Sequence, residues 1–220
     1  YDRQANLRCE LMLVLLFRLL LAATPAERSA LHALYAATDG EGWANTSGWL
    51  GAGDPCDWFG VGCDGGAVVA LDMLAGHDEY GHAFGNSMEG TLPSQLSGVA
   101  GLAELVLFDN RISGTMPTEL MKLTRLQELL LANLQDAGTP GHYSAAPLPM
   151  SGIVPTQIAA LEGLGALVLQ DSSLSGTLPL QIQNITSLSV VDCSSNSVSG
   201  TVPPQLATLG ELSYLTFGNT

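Results

Sequence analysis

Between Ser175 and Pro203 the chain reads SGTLPLQIQNITSLSVVDCSSNSVSGTVP, and the phrase Ser-Gly-Thr-x-Pro that opens the stretch also closes it. Extending the comparison both ways finds the glycine at Gly90, Gly114, Gly152, Gly176 and Gly200, with a proline three residues later at Pro93, Pro117, Pro155, Pro179 and Pro203. The glycine spacings are 24, 38, 24 and 24 residues, a sign of repeat architecture. After each proline the apolar residues recur at every third position, as in Pro117, Leu120, Leu123, Leu126 and Leu129, or Pro179, Ile182, Ile185, Leu188 and Val191. A period of three suits neither an α-helix nor a lone strand and predicts a coil that turns through 3₁₀-like segments. The period drops to two at Leu105 and Leu107, Leu129 and Leu131, Leu167 and Leu169, and Leu215 and Phe217, which predicts one short strand per coil. Asn110 and Asn196 follow the strand at one offset, where a buried amide can bond the turn and the adjacent coil. A single coil has no partner for the faces of its leucine layer, so the coils must stack.

Composition agrees with a packed domain. Of 220 residues, 46% are hydrophobic and only 13% charged, which excludes a disordered acidic tail. Seven basic against 21 acidic residues give a formal net charge of -14. Such a chain is repelled by nucleic acid and by anionic membrane surfaces, and a basic or neutral partner suits it better.

The N-terminal stretch differs from the rest. Leu11 to Ala23, LMLVLLFRLLLAA, follows Arg3 and Arg8, is broken by Arg18 and runs into small residues. It resembles a signal peptide, being shorter than the ~20 apolar residues that span a bilayer; a buried N-terminal helix is the other reading. Cys9 is expected to leave with it. Thr24 stands three residues before Glu27 with Pro25 between them, a capping-box start. Leu31, Leu34 and Tyr35 then share a helical face that Gly40 ends.

The pattern LxxLxLxxNxLSGxxP resembles the 24-residue plant-type leucine-rich repeat of extracellular receptor-like kinases, receptor-like proteins and polygalacturonase-inhibiting proteins. Ahead of the array, DPCDWFGVGCD (Asp54 to Asp64) is similar to that family's N-terminal cap, and ALYAATDGEGWANTSGWL (Ala33 to Leu50) to a cap variant of algae and other microbial eukaryotes. The resemblance implies an α/β solenoid: a right-handed array with a short parallel sheet on its concave face, 3₁₀-type turns on its convex side and a helical, disulfide-bonded cap. The implied division is a signal-like segment over 1–26, the cap over 27–66 and the array over 67–220, with five repeats and an unfinished sixth. Trp43, Trp49 and Trp58 would cover the first leucine layer. Cys56 and Cys63 are expected to form a disulfide, which implies an oxidising compartment. Cys193 stands at a leucine position and reads as core. Asn45-Thr-Ser and Asn184-Ile-Thr are glycosylation acceptors where they face water.

The array departs from its own rule twice. Leu105 to Gly114 is nine positions, whereas Leu71 to Gly90 is nineteen and Leu129 to Gly152 is twenty-three, so repeats one and three carry insertions of ten and 14 residues. Both leave one rim, after the strand and before the glycine turn, and both read as loops that pack over repeat two. They hold His77, Asp78, Tyr80, His82 and Phe84 in the first, His142 and Tyr143 in the second, and are one candidate binding surface. The spacing of His77, Asp78 and His82 matches no zinc motif, so no metal site and no cofactor is expected. The other candidate is the concave face, with Asp72, Val106, Leu130, Val168 and Asp192 in one outward column, Phe108 and Gln170 beside it, and Glu104 and Glu128 at the flank. An apolar centre with acidic edges suits a peptide that carries an apolar anchor and a basic group.

No nucleophile elbow, phosphate loop or HExxH stretch occurs, so an enzyme is not expected. The expectation is a secreted or cell-surface module that recognises a protein or peptide; a secreted structural scaffold without a ligand is the alternative. Since the sixth repeat stops at Thr220, a membrane attachment is expected only through chain beyond it.

Overall fold

The computed structural model describes residues 22–77, 83–132, 150–200 and 203–217, without the side chains of His77 and Ala83. Helix α1 spans Pro25–Ala37, capped by Thr24. The Thr24 hydroxyl accepts from the Glu27 amide at 3.2 Å, and Glu27 Oε2 accepts from the Thr24 amide at 2.7 Å, completing the box. The other oxygen of Glu27 accepts from the Val68 amide at 3.0 Å, which ties the helix to the first repeat. Leu31 and Leu34 are fully buried on the inner face of α1.

After α1 the chain wraps a knot of aromatic rings. Trp43 and Trp49 meet edge to face at 4.8 Å between ring centres, and tilted pairs join Trp49 to Trp58 at 5.2 Å and Tyr35 to Trp43 at 5.0 Å. The indole N–H groups of Trp43 and Trp49 donate to the carbonyls of Thr38 and Phe59, so these rings are buried without leaving their donors unpaired. Arg28 lies over Trp58, 5.2 Å from its ring centre, and donates to the carbonyls of Gly51 and Gly53. Cys56 and Cys63 form the disulfide, with their Cα atoms 5.6 Å apart.

Cys63 lies in strand β1, Val61–Asp64, which pairs antiparallel with β2, Ala67–Asp72. The insertion of repeat one forms β3, Leu74–His77, and β4, Ala83–Gly85, and β5 follows at Glu89–Thr91. Repeat two supplies β6, Glu104–Val106, and β7, Arg111–Ser113; repeat three supplies β8, Glu128–Leu130, and β9, Ser151–Gly152. Then come β10, Ala166–Val168, β11, Ser173–Gly176, β12, Val190–Asp192, β13, Ser197–Val198, and β14, Tyr214–Thr216. Among the described residues the main sheet has seven strands in the order β1-β2-β6-β8-β10-β12-β14. From β2 onward the neighbours are parallel and in step, with Leu71, Leu105, Leu129, Leu167, Val191 and Leu215 in one register row. The expected parallel sheet is therefore present but gains an antiparallel edge strand from the cap, joined to β2 by a tight Gly65-Gly66 turn that sequence periodicity did not expose.

The other side of each coil is a five-residue 3₁₀ segment directly after its proline: Ser94–Gly98, Thr118–Lys122, Thr156–Ala160, Leu180–Asn184 and Pro204–Thr208. Between strand and proline, β5 pairs with β7, and β11 lies between β9 and β13. The recurring glycine follows from this second ladder. Gly114 and Gly176 hold φ of +77° and +75°, and a Cβ on either would stand 2.9 Å from the methyl of Thr91 or Ile153 in the coil before.

Asn110 and Asn196 do what their offset predicts. Each side-chain oxygen accepts from an amide of the preceding coil, Met88 or Leu174, and each Nδ2 donates to a carbonyl at its own strand end. Asn86 is a third such residue, buried and bonded through Nδ2 and Oδ1 to the carbonyl and amide of Asn45 in the cap. It stands four residues before Gly90, as Asn110 stands before Gly114, but the ten-residue insertion hid the match.

Candidate ligand-binding face

Since Leu71, Leu105, Leu129, Leu167 and Val191 are fully buried, the residues on either side of them in each strand face away from the core. One outer row is Ala70, Glu104, Glu128, Ala166, Val190 and Tyr214; the other is Asp72, Val106, Leu130, Val168, Asp192 and Thr216. Neither row contains lysine or arginine, and four positions are carboxylates. Val106, Leu130 and Val168 are adjacent and make an apolar strip beside Glu104 and Glu128.

Two positions of the outward column are closed to solvent. Val106 and Asp192 are each only 8% exposed, because parallel neighbours on both sides crowd a short residue in the middle of a sheet. Asp192 Oδ1 accepts from the amide and hydroxyl of Ser194 at 2.9 and 2.6 Å, so this carboxylate closes its own strand. Asp72 Oδ1 similarly accepts from the Leu74 amide at 3.2 Å, although Asp72 stays exposed. Glu104 and Glu128 are exposed, and Leu130, Val168, Phe108 and Gln170 are half-buried.

At the rim, the first insertion is a hairpin rather than a loop. Strands β3 and β4 pair antiparallel, and the Phe84 ring lies across Gly76, where a Cβ would be 3.0 Å from the ring edge. Phe84 therefore supports the hairpin instead of standing free as an anchor. The root is held from two sides: the Gly85 amide donates to Asp109 Oδ2 at 3.3 Å, and Asn86 clamps the cap. Gly85 has no room for a Cβ against the carbonyls of Phe108 and Asp109, so the return strand of the hairpin rests on repeat two. The backbone of His77 ends β3. Asp78, Tyr80, His82, His142 and Tyr143, like the segment over 1–21, lie outside the described residues.

Of the sequons, Asn184 is exposed at the end of its 3₁₀ segment. Asn45 is half-buried, and its Oδ1 accepts from the Ser47 amide. Cys193 is fully buried, and burial together with the Asp192 carboxylate pushes its thiol up to about 12. Among the described residues no group of His, Cys, Asp and Glu is placed to hold a metal, and no helix is long and apolar enough to cross a membrane.

Residues 24–64 match the family model described as the leucine rich repeat N-terminal domain. The chain is similar to the leucine-rich-repeat ectodomain of the receptor kinase SOBIR1 from Arabidopsis thaliana, with a TM-score of 0.67 over 90% of this chain and 94% of that one, at 21% identity. The chain has a leucine-rich-repeat N-terminal domain and the leucine-rich-repeat ectodomain fold. The BIR2 ectodomain from Arabidopsis thaliana also resembles this leucine-rich-repeat chain, at 27% identity and a TM-score of 0.64 over 84% of this chain and 86% of that one. So does the Arabidopsis HAESA ectodomain, solved with an IDA peptide hormone bound, at 23% identity and a TM-score of 0.56 over 88% of this chain and 33% of that one. No curated protein matches the sequence closely.

Proposed function

We propose that this leucine-rich-repeat chain is an extracellular recognition module that binds a protein or peptide on the outer face of its main sheet, with the rim hairpin beside it. The observation that carries the reading is the apolar strip of Val106, Leu130 and Val168, bordered by carboxylates on a sheet face without a cation. Leu130 and Val168 stay half-open in that strip, an apolar surface that a ligand can cover, and the surrounding charge favours a basic one. The Cys56–Cys63 disulfide supports an oxidising compartment. A glycan on exposed Asn184, which lies across the coil from the sheet, would leave that face free.

Immobilised chain should take one saturable partner from a native secretome, and Phe108→Ser combined with Leu130→Ser should abolish the capture while the fold remains. A chain that takes no saturable partner, or one whose partner is indifferent to both changes, would sink this reading in favour of a ligand-free scaffold.

A further inference from the structure

The carboxylates of the sheet face are not equivalent. Asp72 and Asp192 have an oxygen committed to the turns that end their own strands. Glu104 and Glu128 are directly in register on neighbouring parallel strands, both exposed, and neither has a hydrogen bond or ion pair within the described residues. Like charges placed directly opposite each other on strands ~4.8 Å apart repel each other. The unliganded face thus holds an arrangement that works against the fold and that one cation placed between the two carboxylates would relieve.

A guanidinium suits that place better than an ammonium. Its planar fork of donors can bond both carboxylates at once, whereas an ammonium presents a compact charge on a flexible stem. Directly beside the pair, two residues along the same strands, lie Val106 and Leu130, continued by Val168. A peptide laid across the strands along the seam between these rows points alternate side chains to opposite sides. One side meets Glu104 and Glu128, and the other meets the apolar strip.

Resting on the recognition reading above, we propose that Glu104 and Glu128 form the specificity subsite of the sheet face. They take the guanidinium of one arginine on an extended peptide, whose neighbouring apolar residue covers the half-open Leu130 and Val168. Asp72 and Asp192 have no part in that contact.

The test is to pan a displayed library of random short peptides on the 220-residue chain and on Glu104→Gln/Glu128→Gln and Leu130→Ser variants. The wild-type chain should enrich peptides with arginine next to an apolar residue. Replacing that arginine by citrulline or lysine should weaken a synthetic binder about tenfold or more. The double glutamine variant should lose the same preference yet melt about 1 to 3 °C higher, since its repulsion is gone. Peptides that need Leu130 but tolerate any residue in place of arginine would overturn the subsite and leave the face reading standing. Enrichment indifferent to all three changes, or none at all, would overturn both.

Discussion

At the scale of single residues, Glu27 carries more of the fold than its place in a capping box implies. It is 5% exposed, and its two oxygens serve the Thr24 amide and hydroxyl at one end and the Val68 amide at the other. Truncation leaves a buried strand amide unpaired and removes the box, so Glu27→Ala should cost about 2 to 4 kcal/mol. Glu27→Gln keeps an acceptor for Val68 and should cost about half as much; urea unfolding of both variants checks the difference. The sequence displayed the box, since Thr24 and Glu27 are three apart, but not the second bond, which joins residues 41 apart. Cys193 makes the complementary case of a residue whose environment follows from the repeat. Its thiol, pushed up to about 12 from an ordinary 9.0, keeps its proton in the folded state where the unfolded chain gives it up. Its contribution is therefore complete below about pH 9 and is lost as pH rises toward about 12. Iodoacetamide should label Cys193 in urea at pH 8 and not in the native protein, and labelling of native protein would show that the strand opens readily.

At the scale of elements, the cap is joined to the array by strand pairing, by Glu27 and by Asn86. The disulfide joins the short 3₁₀ turn Pro55–Asp57 to β1, and β1 in turn pairs with β2. Opening it frees a small loop in the unfolded chain, worth about 2 to 3 kcal/mol in the chain-entropy model. Thermal melts with and without reductant should therefore differ by about 4 to 10 °C, the size expected for a domain of this length. The rim hairpin, like the edge strand β1, was not legible in the sequence. Its strands are three and four residues long and contain glycine at Gly76 and Gly85, so no period of two stands out. The glycines are there because Phe84 and the carbonyls of repeat two occupy the space a side chain would need. Gly85→Val should accordingly lift the hairpin from repeat two, and proteolysis within the insertion should become faster while the main sheet keeps its far-ultraviolet signal.

At the scale of the whole molecule, the repeat was legible because stacking forces each coil to place glycine, proline and leucine at fixed offsets, and five coils state the rule five times. The binding face was legible only as a list of outward positions. Which of them stay open depends on neighbours in other coils, as Val106 and Asp192 show, and which carboxylates remain unengaged depends on turns such as Ser194. The net charge of -14 acts at this scale too. At low ionic strength, where the Debye length is ~30 Å, carboxylates across several coils repel one another; at ~0.15 M salt it falls to ~8 Å and only near neighbours interact. Raising salt over that range should therefore raise the melting temperature of the free chain. The same change should weaken a basic ligand, because screening reduces the attraction that draws it to the face. The two effects have opposite signs, and calorimetry on the free chain beside titration of a binding peptide separates them. A ligand whose affinity rises with salt along with stability would be held by apolar contact alone, and the acidic border of the strip would then serve solubility rather than recognition.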